Sequence, residues 1–380
     1  MSLPPLVESG GELTAQEIAR YSRQVIIPDL GMAGQRRLKN ARVLVIGAGG
    51  LGSPTLLYLA AAGVGTLGIV DFDVVEESNL QRQIIHGSSD IGRAKTSSAG
   101  DAIGELNPLV TVHLHEARLT ADNAVDLFGR YDVIVDGTDN FATRYLVNDA
   151  AVLAGKPYVW GSVYRFEGQV SVFWEQAPDG RGVNYRDLYP QPPAPGLVPS
   201  CAEGGVLGIV CASVASVMGT EVIKLITGVG ESLLGRLLIY EALPMSYRTI
   251  GIRKDPAAPP ITGLVDYEAF CAGASGASGA EADEAGITPQ QLRDLLDAGA
   301  AITLVDVREP AEWEINRIEG AVLGLAGLPP GRTPVLYCKT GVRSAAALAA
   351  VRAAGFADAT HLLGGIVAWA QHFDPDMASY

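Results

Sequence analysis

Three groups of residues in this chain have types and spacings that could do chemistry. The run R-V-L-V-I-G-A-G-G-L-G, from Arg42 to Gly52, sets Gly47, Gly49 and Gly52 at G-x-G-x-x-G spacing between an apolar strand and a small-residue helix. Glycines so spaced allow a tight turn whose amides and helix N-terminus receive a phosphate. The second group is polar: Arg82 in S-N-L-Q-R-Q, Lys95 in G-R-A-K-T and Asp139 in V-D-G-T-D-N. The third is C-K-T-G-V-R-S from Cys338, a cysteine at the end of an expected strand.

The glycine loop alone leaves the nucleotide open. Asp71 lies 19 residues past Gly52, where the ribose-binding acid of an NAD or FAD site would stand. Arg82 and Lys95 favour an intact nucleoside triphosphate. Attack of a carboxylate on ATP brings two anions together, so guanidinium and ammonium groups with Mg²⁺ are what the reaction needs, and Asp139 is placed to hold that Mg²⁺. The plain alternative for each cation is solvated surface charge. For Cys338, a helix expected from Ser344 would make a cradle of loop amides that favours a thiolate or persulfide, with Lys339, Thr340 and Arg343 around it. Four residues separate Cys338 from Arg343. Tyrosine phosphatases use five, so the shorter loop suits sulfur. The alternative is a buried core cysteine.

These groups must be positioned by regular elements. A helical pattern from Leu13 to Leu38 opens on Thr14 with Glu17 three residues on, a capping box. Buried strands are expected at 43–47 and 67–71, with a helix at 53–62 between them. Strand 110–115, a helix near 120–129, strand 132–136 and helix 141–154 continue the alternation. The expected fold is α/β: a Rossmann-like, doubly wound, mainly parallel sheet with its ligand at the carboxyl ends of the strands. After Gly155, alternating strands at 157–163 and 167–174 form an antiparallel extension. A proline-rich loop (189–199), an apolar helix (206–227) and strands at 236–241 and 247–253 close this domain.

Residues 255–286, D-P-A-A-P-P and then A-G-A-S-G-A-S-G-A-E-A-D-E-A-G, have linker composition. About 30 such residues would have an end-to-end spread of about 30 Å, holding a second domain near the first at high effective concentration. The expected organisation is therefore an ATP-binding domain at 1–254, a flexible linker at 255–286 and a small α/β domain at 287–380. The last opens on Thr288 as N-cap with Pro289 at the first helical position. Strands are expected at 302–307 and 334–338, a helix at 344–354, and a turn at Gly364 and Gly365.

Composition narrows the classes. A chain of 380 residues exceeds what a single core usually fills. A net charge of −14 with no basic stripe argues against nucleic acid or an anionic membrane surface. The four cysteines are far apart with no C-x-x-C, which suggests neither a disulfide framework nor a four-thiolate zinc site. No signal peptide and no apolar run of membrane-spanning length are expected, and the chain reads as cytoplasmic.

From about Arg20 to Lys254 the chain resembles the molybdopterin-synthase and thiamine sulfur-carrier adenylyltransferases (MoeB/ThiF), relatives of ubiquitin-activating enzymes. The resemblance is carried by R-Y-S-R-Q, G-A-G-G-L-G, V-D-F-D, S-N-L-Q-R-Q, D-G-T-D-N and E-G-Q-V-S-V-F. It implies that Gly50 and Asp71 contact the nucleotide and that Asn79, Arg82 and Lys95, with Ser78 in the same motif, serve ribose or phosphates. Asp139 and Asn140 would complete the metal and triphosphate end, and Arg23 would come from the second subunit of a homodimer. The implied substrate is the C-terminal Gly-Gly carboxylate of a ubiquitin-like, MoaD/ThiS-type carrier. Cys201, in V-P-S-C-A-E-G-G, matches the cysteine linked to covalent intermediates. Cys211 reads as core and Cys271 as incidental.

Many relatives carry two C-x-x-C pairs. This chain has Asn184, Tyr185, Arg186 and Asp187 at the first, and D-P-A-A-P-P-I from Asp255 at the second. No structural zinc is expected, because Asn, Ala and Ile cannot replace thiolates. His113 and His115, at alternate strand positions without a third ligand, read as structural.

Residues 288 to 369 resemble a rhodanese domain through L-V-D-V-R-E, R-I-E-G-A, Y-C-K-T-G-V-R-S and L-L-G-G-I-V-A-W. By that resemblance Cys338 carries the persulfide. The connection from Ala321 to Pro334 is short where the fold usually has a helix, so the domain is expected to be compacted. The combined expectation is an adenylyltransferase and sulfurtransferase using ATP and Mg²⁺ in a molybdenum-cofactor, thiamine or other sulfur pathway. The alternatives are an adenylyltransferase whose rhodanese domain only docks the carrier, and a dinucleotide-dependent oxidoreductase.

Overall fold

The computed structural model describes residues 3–193, 204–273 and 286–378. Two compact units are present, one holding the chain up to Gln191 with Gly204–Tyr267, the other containing Glu268–Tyr380.

The first unit opens with α1 (Ala15–Val25), where Thr14 Oγ1 accepts from the Glu17 amide and the Glu17 carboxylate accepts from the Thr14 amide. The single helical stretch expected to Leu38 is in fact two helices, α2 being Gly31–Asn40. Pro28 accounts for the break, since it donates no N–H and disfavours helical backbone at Ile27. The alternation then runs β1 (Arg42–Ile46), α3 (Gly52–Ala62), β2 (Thr66–Val70), α4 (Lys95–Leu106), β3 (Thr111–His115), α5 (Ala124–Gly129), β4 (Val133–Asp136), α6 (Phe141–Ala154) and β5 (Tyr158–Tyr164). These strands pair in parallel in the order β3-β2-β1-β4-β5. Winding outward from β1 and then returning to β4 leaves a crevice between those two strands at their carboxyl ends.

Three antiparallel strands, β6 (Glu167–Phe173), β7 (Arg236–Glu241) and β8 (Ser246–Gly251), extend the sheet to eight. Before β7 comes α7 (Gly208–Thr227). Contrary to expectation, this helix is long and apolar enough to cross a membrane, but 56% of that stretch is buried and it packs on α3, β5 and β6. It is the core helix of this unit.

The expected linker is partly structured. The first unit extends to Tyr267, which is buried and donates its hydroxyl to Asp149 Oδ2 at 2.7 Å, and α8 (Tyr267–Gly273) starts there. Tyr267 is the large side chain that a composition average over 255–286 hides. The remaining expected linker, 274–285, lies outside the described residues.

The second unit is a five-stranded parallel sheet in the order β11 (Val322–Leu323), β10 (Ile302–Asp306), β12 (Thr333–Tyr337), β13 (Thr360–Leu362) and β9 (Gly286–Ile287). Side chains alternate along its central strands. Leu304, Val335 and Tyr337 join a core with Leu292 of α9 (Pro289–Asp297) and Trp369 of α12 (Gly365–Phe373). On the other face Val305 and Leu336 pack with Leu348 and Val351 of α11 (Val342–Ala353). A short helix, α10 (Pro310–Ile315), follows β10. The connection from β11 to β12 carries no helix, consistent with its shortness.

Candidate functional site

The glycine loop is the hub of the first unit. A Cβ on Gly52 would overlap the Gly47 carbonyl oxygen, so only glycine permits this turn into α3. Ala48 N donates to Asp71 Oδ2 at 2.8 Å, and Asp71 Oδ1 accepts from Asp73 N at 2.9 Å. A Cβ on Gly50 would stand 3.4 Å from Arg82 Cγ, one on Gly49 would stand 3.8 Å from Gln83 Nε2, and one on Gly47 would stand 3.6 Å from the Gly137 carbonyl oxygen. Segments 47–52, 71–73, 82–83 and 137–138 thus meet at the carboxyl ends of β1, β2 and β4, as the fold class requires.

Each polar candidate has a definite place. Lys95 is the first residue of α4, and its nearly buried ammonium lies 3.0 Å from Asp73 Oδ2. It is not a solvated surface charge. Arg82 is half-buried and donates Nη1 to the Ser78 carbonyl at 3.0 Å. Asn79 is buried and holds the turn before Arg82, its Oδ1 accepting from Glu76 N and its Nδ2 donating to Ser78 Oγ. Asp139 is exposed beyond β4, and the neighbouring Asn140 caps α6 by accepting from Thr143 N at 2.8 Å. The side-chain oxygen of Asn140 is therefore engaged in structure. Among the described residues no group of three or more His, Cys, Asp or Glu is set to cage a metal. One exposed carboxylate suits Mg²⁺, which takes one or two protein carboxylates and completes its shell with phosphate oxygens and water.

Arg23 is not brought to the loop. It lies exposed on α1, in a cleft of about 540 Å³ with Tyr58, Ala62 and Thr220. Those α3 residues are roughly 10 Å or more along the helix axis from Gly52. Cys211 is buried on α7, its Sγ 3.0 Å from where a Gly50 Cβ would be, so it packs beneath the loop. Cys201 lies outside the described residues.

Two residues not singled out from the sequence support this site. Asp136, at the end of β4, is fully buried, and burial pushes its carboxyl up. Its Oδ1 accepts from Thr138 N and Oγ1, which sets the loop leading to Asp139. His86 is buried between Ser98 and the Ala48 carbonyl. Their signals were D-x-T after a buried strand and a lone histidine directly after I-I, both easily taken for core.

Around residues 184–187 and 255, where the resemblance led to a comparison with C-x-x-C pairs, side chains form an ion-pair cluster. Lys254 Nζ reaches Glu175 Oε2 at 2.6 Å and Asp187 Oδ2 at 3.3 Å, Asn184 Nδ2 donates to Glu175 Oε2, and Asp255 N donates to Asp187 Oδ1. An ammonium at the centre of a donor set does not suit zinc. His115 Nε2 is paired with Tyr131 Oη at 2.8 Å.

In the second unit Cys338 follows β12 directly and is fully buried. Gly341 N donates to its sulfur at 3.1 Å, and Ser344 Oγ lies 3.6 Å from it. The helix begins at Val342, two residues earlier than expected, which brings its first turn closer to the sulfur. Gly364 and Gly365 do more than turn. They start α12, whose Ile366 and Val367 amides donate to the carbonyls of Cys338 and Lys339. A Cβ on Gly365 would run into both carbonyl oxygens. Arg343, five positions after Cys338, makes a two-pronged pair with Glu312 at 2.7 and 2.8 Å. The residue types suggested the sulfur cradle, but not Glu312, which is supplied from 31 positions away.

The chain matches the ThiF family over residues 21–259 and the rhodanese-like domain over residues 288–372. It is 70% identical to the probable adenylyltransferase/sulfurtransferase MoeZ of Mycobacterium tuberculosis, across 100% of this chain and 99% of the other. It is 51% identical to the sulfur carrier protein adenylyltransferase of Thermus thermophilus, across 68% of this chain and 98% of the other. Among solved structures, Escherichia coli MccB aligns with a TM-score of 0.57 at 20% identity, over 67% of this chain and 74% of that one, a likeness of fold.

Proposed function

This chain belongs to the ThiF family and carries a rhodanese-like domain, and from that premise we propose that it adenylates the C-terminal glycine of a ubiquitin-like sulfur-carrier protein and then delivers sulfur from Cys338 to give a thiocarboxylate. The observation that carries this is the meeting of the glycine loop with Asp71, Arg82 and the Lys95–Asp73 pair in one crevice.

ATP is the adenylyl donor. The carrier carboxylate attacks the α-phosphorus, the bond to the bridging oxygen breaks, and pyrophosphate leaves. Amides of residues 49 and 50 and the N-terminus of α3 receive phosphate oxygens. Asp71 serves the ribose, while Arg82 and Lys95 offset charge that builds on the triphosphate. Mg²⁺, held by Asp139, would neutralise phosphate oxygens. Arg23 lies away from the loop of its own chain, which supports its delivery by a second copy in a homodimer. For sulfur transfer, the terminal sulfur of a Cys338 persulfide attacks the acyl carbon and AMP leaves, giving an acyl disulfide. A thiol then attacks the Cys338 sulfur and releases the thiocarboxylate. Cys201 is proposed as a covalent participant, and the free thiols suit a reducing, cytoplasmic setting.

The test is the intact mass of candidate Gly-Gly carriers incubated with the enzyme, ATP, Mg²⁺ and thiosulfate. Replacement of one oxygen by sulfur is expected, and no mass change with any carrier overturns the proposal. Adenylation without sulfur would restrict the second unit to docking.

A further inference from the structure

We propose that His86 is a positioning residue for the nucleotide loop, clamping the Ala48 peptide together with Asp71. The inference rests on assigning this loop to ATP. Ala48 stands between Gly47 and Gly49, where a glycine-rich backbone would otherwise sample many conformations. Both of its peptide groups are held by side chains from elsewhere in the chain. Its N–H donates to Asp71 Oδ2 at 2.8 Å, and its carbonyl lies 3.2 Å from His86 Nε2. The other imidazole nitrogen, Nδ1, is 2.8 Å from Ser98 Oγ on α4.

A carbonyl can only accept, so Nε2 carries the proton and donates to Ala48, while Nδ1 pairs with the Ser98 hydroxyl, which is also hydrogen-bonded to Asp90. The charged groups acting on the ring are Lys95, Asp90 and Asp71. Burial and Lys95 oppose protonation while the two carboxylates favour it, and burial, the largest effect, keeps the ring below the usual histidine range. With 6% exposure, His86 is shielded from direct contact with most ligands, so it acts through the loop. A loop already ordered spares a bound phosphate the entropy of ordering it. The chain from Ser98 through His86 to Ala48 also ties α4, which begins with Lys95, to the amides expected to share the same phosphates.

The test compares His86→Ala with His86→Gln, whose amide nitrogen reaches about as far as Nε2. In nucleotide-free protein, hydrogen exchange at the amides of residues 47–52 should rise about tenfold in His86→Ala, the loss of one buried hydrogen bond. His86→Gln should stay near wild type. In ATP–pyrophosphate exchange, KM for ATP should rise about tenfold in His86→Ala with kcat little changed. Unchanged loop exchange and KM in a folded His86→Ala overturns the clamp, as does a folded His86→Gln that behaves like the alanine variant. Should His86→Ala fail to fold, the glutamine variant decides. If the wild-type protein neither binds ATP nor exchanges pyrophosphate, the functional assignment fails, and loop exchange without nucleotide still judges the clamp.

Discussion

The two candidate sites are built in opposite ways. The nucleotide crevice gathers residues from across the first unit, Gly47 to Asp139, and leaves Arg82 half-buried and Asp139 exposed. The sulfur site is compact: strand β12, a short loop and helix α11 supply Cys338, Gly341 and Ser344, and the sulfur is fully buried. A site that must offset the charge of an incoming triphosphate keeps one cationic group, Arg82, within reach of solvent and holds the other, Lys95, buried against Asp73. A site that stores one reactive sulfur gains from enclosure and from amides fixed in place. In the second unit Arg343 is paired with Glu312 and Arg308 with Asp306.

If the two sites are chemically separate, their losses should be separate. Arg82→Ala should lower ATP–pyrophosphate exchange about 100-fold or more while leaving persulfide loading of Cys338 by thiosulfate intact. Cys338→Ala should abolish thiocarboxylate formation and leave exchange at the wild-type rate. Loss of both activities in either variant would break the distinction.

A smaller effect concerns the buried charge pair. Glu312→Ala leaves the Arg343 guanidinium, 18% exposed, without its carboxylate. The expected cost is about 3–5 kcal/mol. Hydrogen exchange should rise across residues 288–372 and not across 21–259, so a uniform rise would contradict the local construction of the sulfur site.

The smallest effect tests the ion-pair cluster at 175–255. Burial works against the Glu175 charge, but the hydrogen bonds from Lys254 and Asn184, with the Lys254 charge, hold its carboxyl below the usual range. A carboxyl held low contributes stability above its unfolded value, about 4.3, and loses it as pH falls through the folded value. Lys254→Met should therefore destabilise the first unit at pH 7 by about 1 kcal/mol or less, since the pair is partly exposed. The difference should fade toward pH 3 in urea unfolding. A difference that persists in acid would assign the role of Lys254 to packing.

Much of the fold was legible because strict periodicities reflect burial. The buried strands around Leu44, Ile69 and Val135 read as apolar runs, and Thr14 and Thr288 announced their helices through caps that both form. The break at Pro28, the earlier start of α11 and the burial of Tyr267 were less legible, because each depends on one residue within a segment judged by its average. In the site, the glycine spacing, Arg82, Lys95, Asp71 and Cys338 were visible by residue type.

By itself, then, the sequence determined the order of elements, the glycine loop and the cysteine at the strand end, because local spacing and backbone stereochemistry act over a few residues. Tertiary structure alone decided which partners those groups have: Lys95 with Asp73, Arg343 with Glu312, Ala48 between Asp71 and His86, and Lys254 with Glu175. Such pairings join positions far apart in the chain, and only the fold fixes the distances on which hydrogen bonds and charge interactions depend.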